Sequence, residues 1–270
     1  MTKNTKALVS QANETSLSEL KNQYPIERGF QRILLPRLSM ASQDKYEGKG
    51  KTAKLIKEAG IFTIERQTDE EDDTGKKIWL KEELGDKVEG IVIYQRKQLR
   101  LYDEKTEMYT SSPIYDEDDQ IIPLFCNKKE VARGTPAELK AEYQYKDKAG
   151  KTKSKLEDNR ILYFLKDDEI FQLSLRGSSM YSWMTFARKV LPPSVLIELS
   201  SEAMEKGQIK WNKMIFEVVK PLNTKEVTAI LAKIKEIKEG IQEEKNYYAA
   251  VKQKDDNELE VIATDMKEKF

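Results

Sequence analysis

One stretch of the chain alternates aromatic rings with cationic side chains. If residues 91–102 form a single strand, strict alternation gives one face the residues Val92, Tyr94, Arg96, Gln98, Arg100 and Tyr102. Tyr94 and Tyr102 are suited to stacking on unpaired bases, while Arg96, Arg100 and the neighbouring Lys97 are suited to phosphates. The pattern predicts a surface for a single strand of nucleic acid. The alternative is an ordinary solvent-exposed face that carries cross-strand Tyr–Arg pairs.

Two other segments place cations where a phosphate backbone would need them. The segment from Gly48 to Thr52 ends like a phosphate-binding loop, but the Walker pattern needs a glycine where Lys45 stands. We therefore expect a basic loop that touches a phosphate backbone through Lys49, Lys51 and Lys54. Farther along the chain, a tryptophan lies between two lysines and offers a further stacking ring, in the group Lys210, Trp211 and Lys213.

The absence of histidine excludes much of enzyme chemistry. A chain with no His cannot build a Ser-His-Asp or Cys-His pair, or a histidine-based zinc site. The chemistry that remains is carboxylate-plus-magnesium or lysine-based covalent catalysis. The acidic segments at 70–73 and 116–119 lack the spacing of a calcium loop and are best explained as solvated turns. We expect a protein that is not an enzyme and holds no metal or other cofactor.

Composition and charge indicate a globular chain that lies outside membranes. The 270 residues are 35% charged and 39% hydrophobic, with no apolar run of membrane-spanning length. The single Cys126 excludes an internal disulfide framework, and the polar start lacks a secretory signal, so a cytoplasmic location is predicted. The net charge is zero, yet residues 1–60 carry eleven basic and six acidic side chains, whereas residues 255–270 carry two and six. The two ends can therefore act on different partners.

The hydrophobic pattern predicts a mainly β fold with few helices. A polar segment, residues 1–24, reads as a mobile arm, and residues 25–220 as a β-rich body. Many short strands at close spacing favour a barrel or a sandwich. The strands are predicted at 30–38, 61–66, 78–84, 88–102, 108–114, 121–126, 161–166, 169–175, 194–199 and 208–219.

Two helices carry distinct start signals. Ser178 or Ser179 is expected to cap a helix that Pro192 stops. The last helix, residues 221–251, begins with a cap at Asn223 or Thr224 and a capping-box partner at Glu226. Its apolar residues recur at helical spacing at Val227, Ile230, Leu231, Ile234, Ile237 and Ile241. Residues 252–270 lack such a stripe and are predicted to form a charged tail.

The order of these parts resembles that of bacterial and phage single-stranded DNA-binding proteins. In this chain a strand-rich body and a helix are followed by the acidic segment from Asp255 to Glu260 and by a terminal Phe270. The resemblance implies an elaborated OB-like β-barrel with a few helices and a C-terminal amphipathic helix. It also implies recruitment of replication or recombination proteins through Phe270. Lys267 and Lys269 depart from a wholly acidic tip.

These observations favour one function over two alternatives. The leading hypothesis is a single-stranded DNA-binding protein that coats exposed strands in phage DNA replication or recombination, in the host cytoplasm if phage-encoded. The second is a β-rich structural or assembly protein in which the last helix forms a homo-oligomer. The third is a magnesium-dependent nuclease.

Overall fold

A computed structural model describes residues 35–47, 54–75, 77–103, 106–127 and 129–267. Leu35–Glu239 form one compact unit, here called the body, and from Gly240 the last helix continues in a second unit. The described residues are mainly β, as predicted. The predicted mobile arm and Phe270 lie outside the described residues, as do most of the predicted first strand and the end of the tail. No helix among the described residues is long and apolar enough to cross a membrane.

Each predicted strand overlaps a strand of the structure, but five short strands among the described residues were not predicted. In chain order they are β1 (Arg37–Met40), β2 (Lys45–Glu47), β3 (Lys54–Lys57), β4 (Phe62–Glu71), β5 (Lys77–Gly85), β6 (Val88–Asp103), β7 (Met108–Ser111), β8 (Ile122–Cys126), β9 (Lys129–Gly134), β10 (Gln144–Lys146), β11 (Thr152–Ser154), β12 (Glu157–Lys166), β13 (Glu169–Leu175), β14 (Val195–Lys206) and β15 (Ile209–Pro221). The five that were not predicted are β2, β3, β9, β10 and β11. The helices are α1 (Pro136–Glu142), α2 (Gly177–Ala187) and α3 (Thr224–Lys267), with a 3₁₀ turn at Pro192–Ser194.

The main sheet is open and is organised around β6. Its order is β5-β4-β1-β13-β12-β6-β7-β8-β9, and the β14–β15 hairpin branches from β6. Residues 88–90 of β6 pair with β14, residues 91–100 pair with β12, and residues 100–103 pair with β7. Among the described pairs β1–β13 is parallel and the others are antiparallel. Residues 104–156, here called the insert, connect β6 to β12.

A bulge in β6 changes which side chains share a face. Tyr163 of β12 faces Tyr94, but the next residue, Phe164, faces Val92, so Ile93 is an extra residue. Val92 therefore lies in the main core, while Ile93 and Tyr94 both lie in the cluster beneath α3. The prediction that Val92 and Tyr94 share one face is wrong, because strict alternation does not hold across a bulge.

Three apolar clusters stabilise the body. The main core, built from the central strands and α2, contains Leu38, Phe62, Ile64, Val88, Val92, Leu162, Phe164, Phe171, Leu173, Leu175, Trp183, Val195, Ile197, Leu199, Met214 and Phe216. The insert core contains Leu99, Tyr115, Ile122, Leu124, Leu139 and Leu156. The helix cluster joins the outer side of β6 and β12 to α3 through Ile93, Ile161, Tyr163, Leu165 and Ile230.

The serines at the start of α2 have a different role from the predicted one. The residue at the N-cap position is Arg176, and no side chain caps this end. Instead, the Ser178 Oγ accepts a hydrogen bond from the Trp211 Nε1 at 3.1 Å, and the Ser179 Oγ accepts one from the Met214 amide at 2.9 Å. The cap pattern failed because these tertiary bonds to β15 use the same oxygens.

Helix α3 starts as predicted and ends later. The Glu226 amide donates to the Asn223 Oδ1 at 3.0 Å, and the Asn223 amide donates to the Glu226 carboxylate at 2.7 Å. The bond from Asn223 holds the pKa of Glu226 below its usual range. The helix ends at Lys267 instead of at residue 251, so most of the predicted tail continues it. Glu, Lys, Ala and Leu favour helix without an apolar stripe, which the prediction neglected.

The close packing of β6 against β12 requires a glycine at position 90. A Cβ at Gly90 would lie 2.4 Å from the Phe164 ring and 2.6 Å from the Leu165 carbonyl oxygen. We predict that Gly90→Ala lowers the free energy of unfolding by roughly 2 kcal/mol or more, because main-chain atoms must shift. In the matched control, Gly240→Ala within α3, the new Cβ meets no atom within 4 Å. It should raise stability by about 0.5–1 kcal/mol. Urea denaturation measures both, and equal effects would contradict the packing described.

Candidate nucleic-acid interface

Two exposed tyrosine rings and one guanidinium group meet where β6 ends. Tyr102 faces Tyr109 across the β6–β7 pair, with ring centroids 4.7 Å apart. The Arg100 guanidinium carbon lies 3.9 Å from the centroid of the Tyr109 ring. Each tyrosine is 46% exposed. These three residues, here called the Tyr–Arg surface, are partly exposed and pack on one another across β6 and β7, as cross-strand Tyr–Arg pairs do.

The insert core sets the orientation of this surface. Leu99 is fully buried in that core and Leu101 packs against it. Successive residues of a strand point to opposite faces, so Arg100 and Tyr102 turn away from the insert core. The sequence predicted Arg100 and Tyr102 but missed Tyr109. The only available signal was the short run Met108–Ser111, since the register that pairs Tyr109 with Tyr102 is not visible in the sequence.

Arg96 and Tyr94 do not belong to the Tyr–Arg surface, which corrects the prediction. The Arg96 side chain is 3% exposed, its Nε lies 3.2 Å from the Asp116 Oδ1, and its Nη2 donates to the Ile114 carbonyl at 2.7 Å. The Tyr94 hydroxyl donates to the same Asp116 oxygen at 3.2 Å. The Tyr94 ring packs edge-on against Tyr163, at 5.9 Å between centroids. Arg96 is buried and Tyr94 is half-buried, and the partners of both side chains lie within the body.

Lys97 also has a partner in the insert. Its Nζ contacts the Glu117 carboxylate, which in turn lies 3.5 Å from the Arg160 Nη1. The hydrogen bond from Lys97 lowers the pKa of Glu117, and the charge of Arg160 adds to the effect. Main-chain bonds of 2.8 Å in both directions join Lys97 to Tyr115. The segment 116–119 forms a turn, as predicted, with the Glu117 side chain 70% exposed, and Asp116 and Glu117 also form ion pairs with β6.

The predicted residues of β15 lie at the other end of β6. The β14–β15 hairpin joins β6 at Val88–Gly90, the end opposite Tyr102. The Trp211 ring is half-buried and bonded to Ser178. The Lys213 Nζ lies 2.9 Å from the Glu202 carboxylate, and the Lys210 Nζ lies 3.9 Å from the Glu205 carboxylate. These residues therefore form a group separate from the Tyr–Arg surface.

The predicted basic loop is largely outside the structural description. Lys49 and Lys51 lie outside the described residues. Lys54 is on β3, a strand that pairs with β2 through Glu47, and not in a loop. No described structure connects these lysines with Arg100.

The described residues show no candidate metal site, and the chain matches no known protein. Across the described ranges, no group of three or more Cys, Asp or Glu residues is arranged to hold a metal ion. No protein-family model, curated protein or solved structure matches the chain.

We predict that Arg96 contributes to folding and Arg100 does not. Arg96→Met leaves Asp116 without its buried cationic partner, which should lower the free energy of unfolding by roughly 3 kcal/mol. Arg100→Met, the matched control, removes a half-buried guanidinium that rests on an exposed ring and should cost less than about 1 kcal/mol. Chemical denaturation of both variants measures the difference. A small effect of Arg96→Met would contradict the assignment of Arg96 to the interior.

Proposed function

We propose that the chain binds single-stranded DNA, without catalysis, and that bases stack on the Tyr–Arg surface. The observation that carries the proposal is the exposed pair Tyr102 and Tyr109, 4.7 Å apart, with Arg100 directly over the second ring. Aromatic faces accept any base, and a neighbouring guanidinium neutralises phosphates. A duplex hides its base faces within the stack, so the surface favours a single strand.

The proposal includes an OB-like barrel within the body. A five-stranded Greek-key barrel needs one strand that pairs with both the second and the fourth strand of the set. In the set β6, β12, β13, β14 and β15, β6 pairs with β12 and β14, and the remaining pairs are β12–β13 and β14–β15. Helix α2 lies between the third and fourth of these strands. This order supports the OB-like assignment.

Contacts near β1 support closure of that barrel. Strand β1 lies parallel to β13. Just after β1, the Ser42 carbonyl accepts a hydrogen bond from the Asn212 amide of β15 at 2.7 Å. The Gln43 side chain donates to the Lys210 carbonyl at 2.8 Å. Since β1 pairs with β13 on one edge and β4 on the other, we infer that the segment just after β1 links this part of the sheet to the fifth strand, β15.

This arrangement explains why the insert would carry the binding surface. OB domains bind oligonucleotides on the face of their second and third strands and on the loops between strands one and two and between four and five. In the body, α3 covers the outer face of β12 through Ile230, Ile161 and Tyr163. The insert corresponds to the first of those loops, and Tyr109 lies within it. Because α3 covers the outer face of β12, we propose that the oligonucleotide binds at the insert instead.

The biological role extends the same proposal. A protein that binds single strands without sequence preference suits the coating of exposed DNA in replication or recombination. By resemblance to single-stranded DNA-binding proteins, the acidic residues from Asp255 to Glu260, which here lie on α3, and Phe270 would recruit replication or recombination proteins.

A second candidate function is an oligomeric assembly protein. The observation that favours it is the length of α3, whose 44 residues continue beyond the body unit at Glu239. Light scattering on the full chain measures the mass. A concentration-dependent oligomer that binds neither oligo-dT nor duplex would favour this candidate over DNA binding.

We predict that Tyr102→Ala and Tyr109→Ala each weaken binding to oligo-dT by about 1–3 kcal/mol, because each removes a stacking ring. Trp79→Ala is the matched control, since the Trp79 ring also lies beneath a guanidinium, that of Arg37, but on β5, outside the insert. Fluorescence anisotropy with oligo-dT and a matched duplex, repeated across salt, gives the affinities. Wild-type affinity should be higher for the single strand and fall with salt. Folded Tyr102 and Tyr109 variants that bind like the control would refute the site.

A further inference from the structure

A groove of about 560 Å³ lies between α2 and the β14–β15 hairpin. Its volume falls within the range of small-molecule sites and is too small for a folded partner. None of the residues that line the groove belongs to the Tyr–Arg surface. The lining side chains from α2 and the turn after it are Ser178, Tyr181, Ser182, Thr185, Phe186 and Lys189, and those from the hairpin are Met204, Lys213 and Phe216.

One face of α2 supplies polar groups to this groove. Ser178, Ser182 and Thr185 recur at helical spacing, so their hydroxyls lie along the same side of the helix. Ser178 already accepts a bond from Trp211 and keeps its own hydroxyl proton to donate, whereas the Thr185 hydroxyl donates to the Tyr181 carbonyl at 2.9 Å and can only accept from a ligand. Tyr181 is 67% exposed, whereas Met180, Trp183, Phe186 and Ala187 of the same helix pack on the main core. A hydroxyl row beside an open ring suits the polar edge and the flat face of a base.

The floor of the groove is rigid and apolar. The Phe186 and Phe216 rings both contact the Trp183 ring, with centroids 5.8 Å and 5.1 Å from it. Trp183 is itself buried and anchored to Gln95 by a hydrogen bond of 3.0 Å. Because this aromatic packing already holds the floor in place, a flat ligand that binds there loses little free energy to the ordering of these side chains.

The charge of the groove is positive. Lys189 and Lys213 line it, and among the residues that the structure describes no carboxylate does. The Glu202 carboxylate lies 2.9 Å from the Lys213 Nζ and offsets its charge, so the net positive charge of the lining comes from Lys189. In the sequence, residues 170–197 contain Arg176, Arg188 and Lys189 but no Asp or Glu. The surroundings therefore favour an anionic ligand.

We propose that this groove binds one nucleotide of single-stranded DNA, with the base against Tyr181 and the apolar floor and the phosphate at Lys189 and Lys213. The inference rests on the proposed function and adds a second contact to it. The hairpin joins β6 at Gly90, twelve residues before Tyr102, which corresponds to about 40 Å along an extended strand. One long single strand would therefore engage both, whereas a very short one would engage one.

The test uses the full chain and oligo-dT of about 30 nucleotides, longer than the site of a single OB fold. Tyr181→Ala should weaken binding about tenfold through the lost stacking. Lys189→Ala should reduce the slope of log affinity against log salt by about 0.7, the value for one phosphate contact on a single strand. Lys225→Ala, an exposed lysine of α3 outside the groove, is the matched control and should leave both quantities unchanged. Thermal melting confirms that the variants are folded.

Photocrosslinking separates the two proposals. An oligonucleotide carrying 5-iododeoxyuridine should label one peptide that contains Tyr181 and another that contains Tyr102 or Tyr109. Labels at Tyr102 or Tyr109 alone, with normal binding by the Tyr181 and Lys189 variants, would overturn the groove proposal and leave the proposed function standing. Failure of the wild-type chain to bind oligo-dT would overturn both. An Asp/Glu-rich peptide that binds wild type but not Lys189→Ala, with oligo-dT affinity unchanged, would make the groove a peptide site and also overturn the proposal.

Discussion

The extra residue in β6 is the constraint on which the body depends. Without the bulge at Ile93, a strand of sixteen residues would keep Val92 and Tyr94 on one face and send either a tyrosine into the main core or a valine under α3. With it, Val92 fills the main core while Ile93 and Tyr94 together support the helix. The same change of phase places Leu99 in the insert core and leaves Tyr102 outside. One strand thereby serves three clusters.

Ion pairs also join the insert to β6. Asp116 and Glu117 of the insert meet Arg96 and Lys97 of β6, so two of the cations that the sequence offers for DNA are used to hold the insert in place. Arg100 differs because its guanidinium rests on an exposed tyrosine ring. The Tyr–Arg surface is therefore small, and its position depends on the buried Arg96–Asp116 pair a few residues before it. An interface of this kind tolerates little movement of the insert.

Local signals predicted much of the fold and less of the candidate site. The run from Glu169 to Leu175 gave β13 with its bounds, and Asn223 with Glu226 gave the start of α3, because alternation and capping are local properties. The role of Ser178 was missed because a tertiary partner used its hydroxyl. Arg96 was expected at the surface because the sequence does not show that the Asp116 carboxylate and the Ile114 carbonyl come close enough to be its buried partners. Tyr109 became a candidate only when the register of β7 placed it beside Tyr102.

The most direct measurement of the central claim is NMR on the full chain with ¹³C-labelled tyrosine rings, titrated with oligo-dT. Tyr→Phe variants assign the twelve tyrosines. The account predicts upfield ring-current shifts of the Tyr102 and Tyr109 signals as bases stack on them, with the buried Tyr163 signal unchanged and no response to duplex DNA. Tyr102 and Tyr109 signals that stay in place while oligo-dT binds, or that respond equally to duplex, would contradict it.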